Sequence, residues 1–130
     1  MADKKINVEL LREVRAAILK WPNYYNQGNY GANFKYDPQH MQEPECGSAA
    51  CIAGWSVVLG DKCSLDGMVL AGVMARARQL LGVSWLQSEK LFYHKAGHEY
   101  LWEVTAQEAA TAIDNFIASN GESCYASATE

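Results

Sequence analysis

All three prolines of this chain, Pro22, Pro38 and Pro44, fall between residues 22 and 47, and that placement divides the sequence. Proline lacks a backbone N–H and its ring clashes with the preceding helical turn, so helices run best where it is missing. The stretches on either side of residues 22–47 are therefore free to be helical. The segment itself, PNYYNQGNYGANFKYDPQHMQEPECG, has no 3.6-residue periodicity and is rich in Gly, Asn and Gln. It also carries Tyr24, Tyr25, Tyr30, Phe34 and Tyr36. A loop of this length inside a small domain is uncommon and is often functional. Its aromatics either pin it onto the helices or line a pocket, and pinning is the commoner fate of large apolar groups. Asn33–Tyr36 is short enough to form a strand or one arm of a hairpin.

Outside that loop, caps and stops mark five helices. Asn7 caps the first, Glu9 sits in its first turn, and Leu11, Val14, Ile18 and Trp21 form one apolar stripe. Arg12, Glu13, Arg15 and Lys20 fall on its outer face, and Pro22 ends it near Trp21. The second helix is expected from Ser48 to Leu59, with Gly60 just beyond its end. The third is capped by Asp66, turns Val69, Leu70, Val73, Ala77, Leu80 and Leu81 inward, and stops at Gly82. Its solvent face carries Arg76 and Gln79. Ser84 with Gln87 and Thr105 with Glu108 are two capping boxes, opening a fourth helix that ends before Gly97 and a fifth that ends at Asn120-Gly121. On the fifth, Ala109, Ala110, Ile113, Phe116 and Ile117 face the core. The fold class is mainly α, a compact bundle of about five helices with the long aromatic loop between the first and second. All 130 residues read as one domain, with 122–130 as a loose polar tail.

Several function classes are disfavoured. Hydrophobic residues make up 49% of the chain and charged residues 20%, enough apolar surface to build a core. The formal charge is −4, and basic residues are scattered, with only Lys4-Lys5 and Arg76-x-Arg78 as near pairs. Long nucleic acids need a basic face, so DNA and long RNA are poor partners. No stretch approaches the ~18 apolar residues of a membrane span, and the N-terminus has no signal-peptide pattern. The expected location is the cytoplasm, of a bacterium or of a phage-infected host cell, where thiol, metal or redox roles for Cys46, Cys51, Cys63 and Cys124 are favoured over structural disulfides. No phosphate loop, dinucleotide fingerprint, serine elbow or HExxH motif is present.

Chemistry concentrates in Glu45–Trp55, ECGSAACIAGW. With Ser48 as cap, the amides of Gly47 to Cys51 would lie at the positive end of a helix dipole, a setting for a carboxylate or phosphate. Cys51 would sit in the first turn, where that dipole favours a thiolate. A catalytic thiol also needs a base, and His40, His94 and His98 are the candidates, His40 first because it lies in the adjoining loop. The alternative is a small buried cysteine. Cys46, Cys51, Cys63 and a histidine lack the paired spacing of a zinc knuckle. Gly54 inside a helix costs about 1 kcal/mol against alanine, and close helix–helix contact is its plainest reason. Trp55 should plug the core beneath the motif. Glu43 and Glu45 read as solvated loop charges.

CGSAACIAGW resembles a CG[ST]xxC[IL]AGW signature of small, largely uncharacterised proteins of phages and bacteria. The resemblance continues through ARARQLLGV at Ala75–Val83, QSEKLF at Gln87–Phe92, Trp102 and TAQEAATAIDNFI at Thr105–Ile117. Phage proteins of this general kind include sponges that sequester nucleotide signals of host immunity, so the resemblance implies, by analogy, an anti-defence sponge. The expected function is thus a small-ligand-binding protein holding an anionic, nucleotide-type molecule, with no cofactor and no metal, and leaning away from enzyme activity. Gly47 and Ser48 would take the anion beside Cys51, Phe34 and Tyr36 would stack on a base, and Arg76 would add a charged contact. The alternatives are a cysteine enzyme built on Cys51 and His40, and an interaction or structural protein, with a homo-oligomer as a further expectation.

Overall fold

A computed structural model describes residues 6–36, 38–39, 43–44, 48–65 and 67–125. It contains five α-helices: α1 (Val8–Lys20), α2 (Ile52–Asp61), α3 (Leu70–Leu81), α4 (Trp85–Phe92) and α5 (Ala106–Ala118). Short 3-10 turns lie at Pro22–Tyr24 and Leu101–Glu103. The fold is mainly helical as expected. Among the described residues no strand forms, Asn33–Tyr36 included, and the sole β pairing is a parallel bridge between Tyr25 and Ala50. Asp66, Gly47, Cys46, Glu45 and His40, for which the sequence sets expectations, lie outside the described residues.

The caps of α1, α4 and α5 form as their sequences dictate. The Asn7 side chain accepts the Leu10 amide at 3.0 Å. Ser84 with Gln87 and Thr105 with Glu108 close reciprocal capping boxes, each satisfying two amides that the helix leaves orphaned. Asn120 and Gly121 take left-handed conformations after α5, and the Gly121 amide returns to the Phe116 carbonyl at 2.7 Å. Gly121 also abuts the Gln87 side chain, so α5's stop docks on α4's cap. α4 ends at Phe92, short of Gly97, and Tyr93 caps it.

Two helix starts differ from expectation. α3 begins at Leu70 with Val69 as its cap, and both point outward, Val69 66% and Leu70 47% exposed. Only from Val73 does the apolar stripe meet the core, through Val73, Ala77 and Leu81, with Leu80 partly covered. α2 begins at Ile52, not Ser48, and Cys51 is its cap. The reason is long-range. The Ala50 amide donates to the Tyr24 carbonyl at 3.1 Å, the Asn26 amide to the Ala50 carbonyl at 3.1 Å, and the Cys51 amide to the Asn29 carbonyl at 2.7 Å. Residues 48–51 are thereby drawn straight against the loop and cannot enter the helix. At its other end α2 runs past Gly60 to Asp61, and Lys62 turns left-handed. Gly60 lies within the last turn, where Leu80 and Leu10 press against it.

The described part of the long loop, through Tyr36, is pinned onto the helices. Asn26 and Asn29 accept the amides of Gly28 and Gly31 at 2.8 and 2.9 Å, turns that asparagine side chains build from their own backbone. Beyond them Phe34 and Tyr36 enter the core around the fully buried Trp55, with ring centroids at 4.8 and 5.5 Å from it. Trp21, at the end of α1, stacks on Trp55 at 6.1 Å. The Trp55 indole N–H donates to the Tyr24 carbonyl at 3.1 Å. Gly54 has a reason other than helix–helix contact: the loop backbone crosses α2 there, and a methyl group would collide with the Tyr30 carbonyl oxygen. α2 packs on α3 and α1, and α1 on α5.

Candidate functional site

The helix start at Cys51 is closed from within. Besides the Cys51 amide, already bonded to Asn29, the Ile52 amide donates to Gln27 Oε1 at 3.3 Å. The amides of Gly54 and Ala53 face the Cys51 sulfur. The positive helix end therefore meets oxygens and sulfur of the chain itself, and Ser48 is buried beside it. Burial pushes the Cys51 thiol above its ordinary pKa, while those amides pull the other way. His94 and His98 are engaged elsewhere, as described below. Phe34 and Tyr36 have their faces against Trp55 and each other. Arg76 is also committed: its Nε and Nη2 fork onto the Asp61 carboxylate at 2.8 and 2.6 Å, and Nη1 donates to Gln79 Oε1 at 3.0 Å. That fork holds the Asp61 carboxyl below its ordinary pKa and staples the end of α2 to α3. Of the residues expected at a ligand site, Phe34, Tyr36 and Cys51 belong to one hydrophobic core, Ser48 is buried, Arg76 is paired with Asp61, and Gly47 lies outside the described residues.

Gln27, which no motif singles out, is the polar key of this region. It is buried, accepts from the Tyr25 hydroxyl at 2.9 Å, and donates Nε2–H to the Phe92 carbonyl at 2.5 Å. It therefore links the loop, the start of α2 and the end of α4. Tyr25 is raised in pKa by burial first, then by Cys51 and Glu108, so it stays a neutral hydroxyl.

Aromatic side chains divide sharply along the chain. None of the seven from Trp21 to Trp55 is exposed, whereas five of the seven from Trp85 onward are: Trp85, Tyr93, Tyr100, Trp102 and Tyr125. On α4, Ser88, Leu91 and Phe92 form the buried face. Leu86, Lys90 and Tyr93 stand opposite at helical spacing, Leu86 71% exposed. Trp85, 61% exposed, lies under the guanidinium of Arg78 at 4.5 Å. Tyr100 and Trp102 stack at 5.7 Å with planes 9° apart, and Trp102 is 63% exposed. The sequence signal for these residues is a register signal: Leu86 and Tyr93 lie off the buried stripe of α4, and Tyr100 and Trp102 precede the capped start of α5.

A groove runs beside this surface between the end of α4 and the turn at 122–125. It holds about 420 Å³ against Lys90, Tyr93, Lys95 and Tyr125, with Glu89 and Glu122 also on its walls, and adjoins a second hollow of about 280 Å³ along α5. His94 and Tyr125 meet edge to face at 4.8 Å and wall both. Within the expected tail 122–130, residues 122–125 are anchored and 126–130 lie outside the described residues: Lys90 Nζ donates to the Glu122 carbonyl at 2.8 Å, and Asn115 Nδ2 to the Cys124 carbonyl at 3.1 Å. Burial holds the Cys124 thiol up to about 12, with Lys90 opposing, so it is no thiolate near neutrality. Burial lowers the His94 pKa, with Glu108 opposing. His98 Nε2 lies 2.8 and 3.0 Å from the two oxygens of Glu108, tying the 93–100 segment to the first turn of α5. Among the described residues no group of three or more His, Cys, Asp or Glu side chains gathers to hold a metal ion.

No protein-family model matches the chain, and no curated protein or solved structure matches it at a significant level.

Proposed function

We propose that this chain is a protein-interaction module, engaging a partner through the outward aromatic surface of residues 85–125. The observation that carries this reading is the division of the aromatic side chains: those through Trp55 build the core, and most of those from Trp85 on face outward. Exposed Trp and Tyr are costly to leave in water and are the residue types that dominate interface energetics. They also lose little side-chain entropy on docking, because their rotamers are few. The described part of the motif supports the same reading from the other side, since the amides of Ala50, Cys51 and Ile52 and the Cys51 thiol are engaged within the chain.

Panning a random peptide library tests it. Wild-type protein should select convergent sequences whose binding is lost on a variant carrying Leu86→Ser, Tyr93→Ser, Tyr100→Ser and Trp102→Ser. Selected peptides that bind the variant equally well, or no convergence at all, would overturn the reading.

The groove walled by His94 and Tyr125 favours a second reading, a small planar ligand with an anionic group near Lys95. A nucleotide-type signal, implied by the resemblance of CGSAACIAGW, belongs to that class. Calorimetric titration with a nucleotide panel checks it, and absence of heat at millimolar ligand with folded protein removes it.

A further inference from the structure

The tryptophans of this chain differ in what covers them. Trp55 is fully buried. Trp21 lies 4.7 Å beneath the Lys20 ammonium, and Trp85 lies beneath Arg78. Trp102 alone is exposed with no cation of the chain over its ring, among the described residues. One face of it stacks on Tyr100. Its backbone is held in the Leu101–Glu103 turn, where the Glu103 amide donates to the Tyr100 carbonyl and the Val104 amide to the Leu101 carbonyl, both at 3.1 Å, and it passes Gly28 with little room for a side chain there. The Tyr100 amide donates to Glu103 Oε1 at 2.9 Å, which locks the turn and holds a carboxylate at the Tyr100 backbone. Glu99, next to Tyr100 in the chain, is exposed as well. The pair is thus a rigid, electron-rich platform with acidic neighbours, on a chain of net charge −4.

We infer that the Tyr100–Trp102 platform seats an arginine side chain from an extended segment of a partner protein. This rests on the interaction reading above and gives it a chemistry. A guanidinium is planar, weakly hydrated and able to lie flat on an indole while its edge N–H groups fork onto a carboxylate. The Glu99 and Glu103 carboxylates supply the complementary charge, and an acidic or neutral segment would gain neither contact. The molecule already makes the same pairing within itself at Arg78 and Trp85.

The test is an NMR titration of isotope-labelled protein with the peptide acetyl-Gly-Arg-Gly-Arg-Gly-amide and with its citrulline counterpart, which keeps the shape and removes the charge. The arginine peptide should shift the Trp102 indole N–H and the 99–103 amides, and the citrulline peptide should bind about two- to fivefold more weakly or worse. Trp102→Ser should abolish the shifts, and Glu99→Gln should reduce affinity by about twofold. Trp102→Phe, which keeps a ring, should retain part of the binding and guards against a folding artefact. Equal binding of the two peptides, or shifts that survive Trp102→Ser, overturns the inference. If that happens while library panning still yields peptides lost on the surface variant, arginine recognition fails and the interaction reading stands. If both fail, the surface is not an interface.

Discussion

At the scale of single residues, glycine separates the places where this fold needs room from those where it does not. Gly54 lies under the Tyr30 carbonyl, and backbone cannot move aside as a flexible side chain can. Gly54→Ala should therefore lose about 1–3 kcal/mol in a denaturant titration, despite the better helix propensity of alanine. Gly72 lies in the first turn of α3, where an added methyl reaches nothing closer than Val69 Cγ2 at 4.0 Å. Gly72→Ala should be neutral or stabilising by up to about 1 kcal/mol. Cysteine accessibility makes a parallel prediction. Cys63 is exposed, while Cys51 and Cys124 are buried with raised pKa values. Iodoacetamide near neutral pH should alkylate Cys63 in the folded protein and reach Cys51 and Cys124 only on unfolding, as mass spectrometry of digests would read. Rapid labelling of Cys51 in native protein would restore the nucleophile. The need for a small residue at 54 is legible in the sequence, because glycine inside a helix demands a cause. The identity of the crossing carbonyl is not, because Tyr30 comes from a loop that local pattern cannot place.

Among elements, legibility followed whether a helix end is satisfied locally or at long range. Ser84/Gln87 and Thr105/Glu108 reach only three residues, so both starts can be read directly. The start of α2 is set by Tyr24, Gln27 and Asn29, more than twenty residues away, and a local reading of Ser48 as the cap misplaces it. The locally capped α5 carries a pH prediction. The Thr105 amide and then His98 stabilise the charged Glu108 and hold its pKa below the ordinary value of 4.5. A carboxyl lowered in the folded state contributes stability that is present above its unfolded pKa and lost as pH falls through its folded pKa. Stability should therefore fall as pH drops below about 4.5, and Glu108→Gln should flatten that part of the profile. Thr105→Ala removes the reciprocal half of the box and should cost about 1 kcal/mol near neutral pH. An unchanged acid limb in Glu108→Gln would show that other carboxylates dominate it.

For the whole molecule, the decisive feature is that no aromatic from Trp21 to Trp55 is exposed, whereas most of those from Trp85 on are. The loop aromatics that invite a pocket reading help form the core, where Phe34 and Tyr36 pack on Trp55. Apolar composition can foresee that aromatics bury, and it cannot foresee that five of the seven from Trp85 on do not, since exposure depends on which helix faces already have neighbours. If the outward aromatics serve an interface, they should contribute little to folding. Leu86→Ser and Trp102→Ser together should change the unfolding free energy by no more than about 0.5–1 kcal/mol, as surface substitutions do. Phe34→Ala or Trp55→Ala should each cost about 3–5 kcal/mol by opening a cavity. Light scattering on the same surface variant adds the oligomeric state: where a second copy is the partner, the wild type should run larger than the variant at equal concentration. A large stability loss from Leu86→Ser and Trp102→Ser would mean that these side chains support the fold, and the outward surface would lose its claim to function.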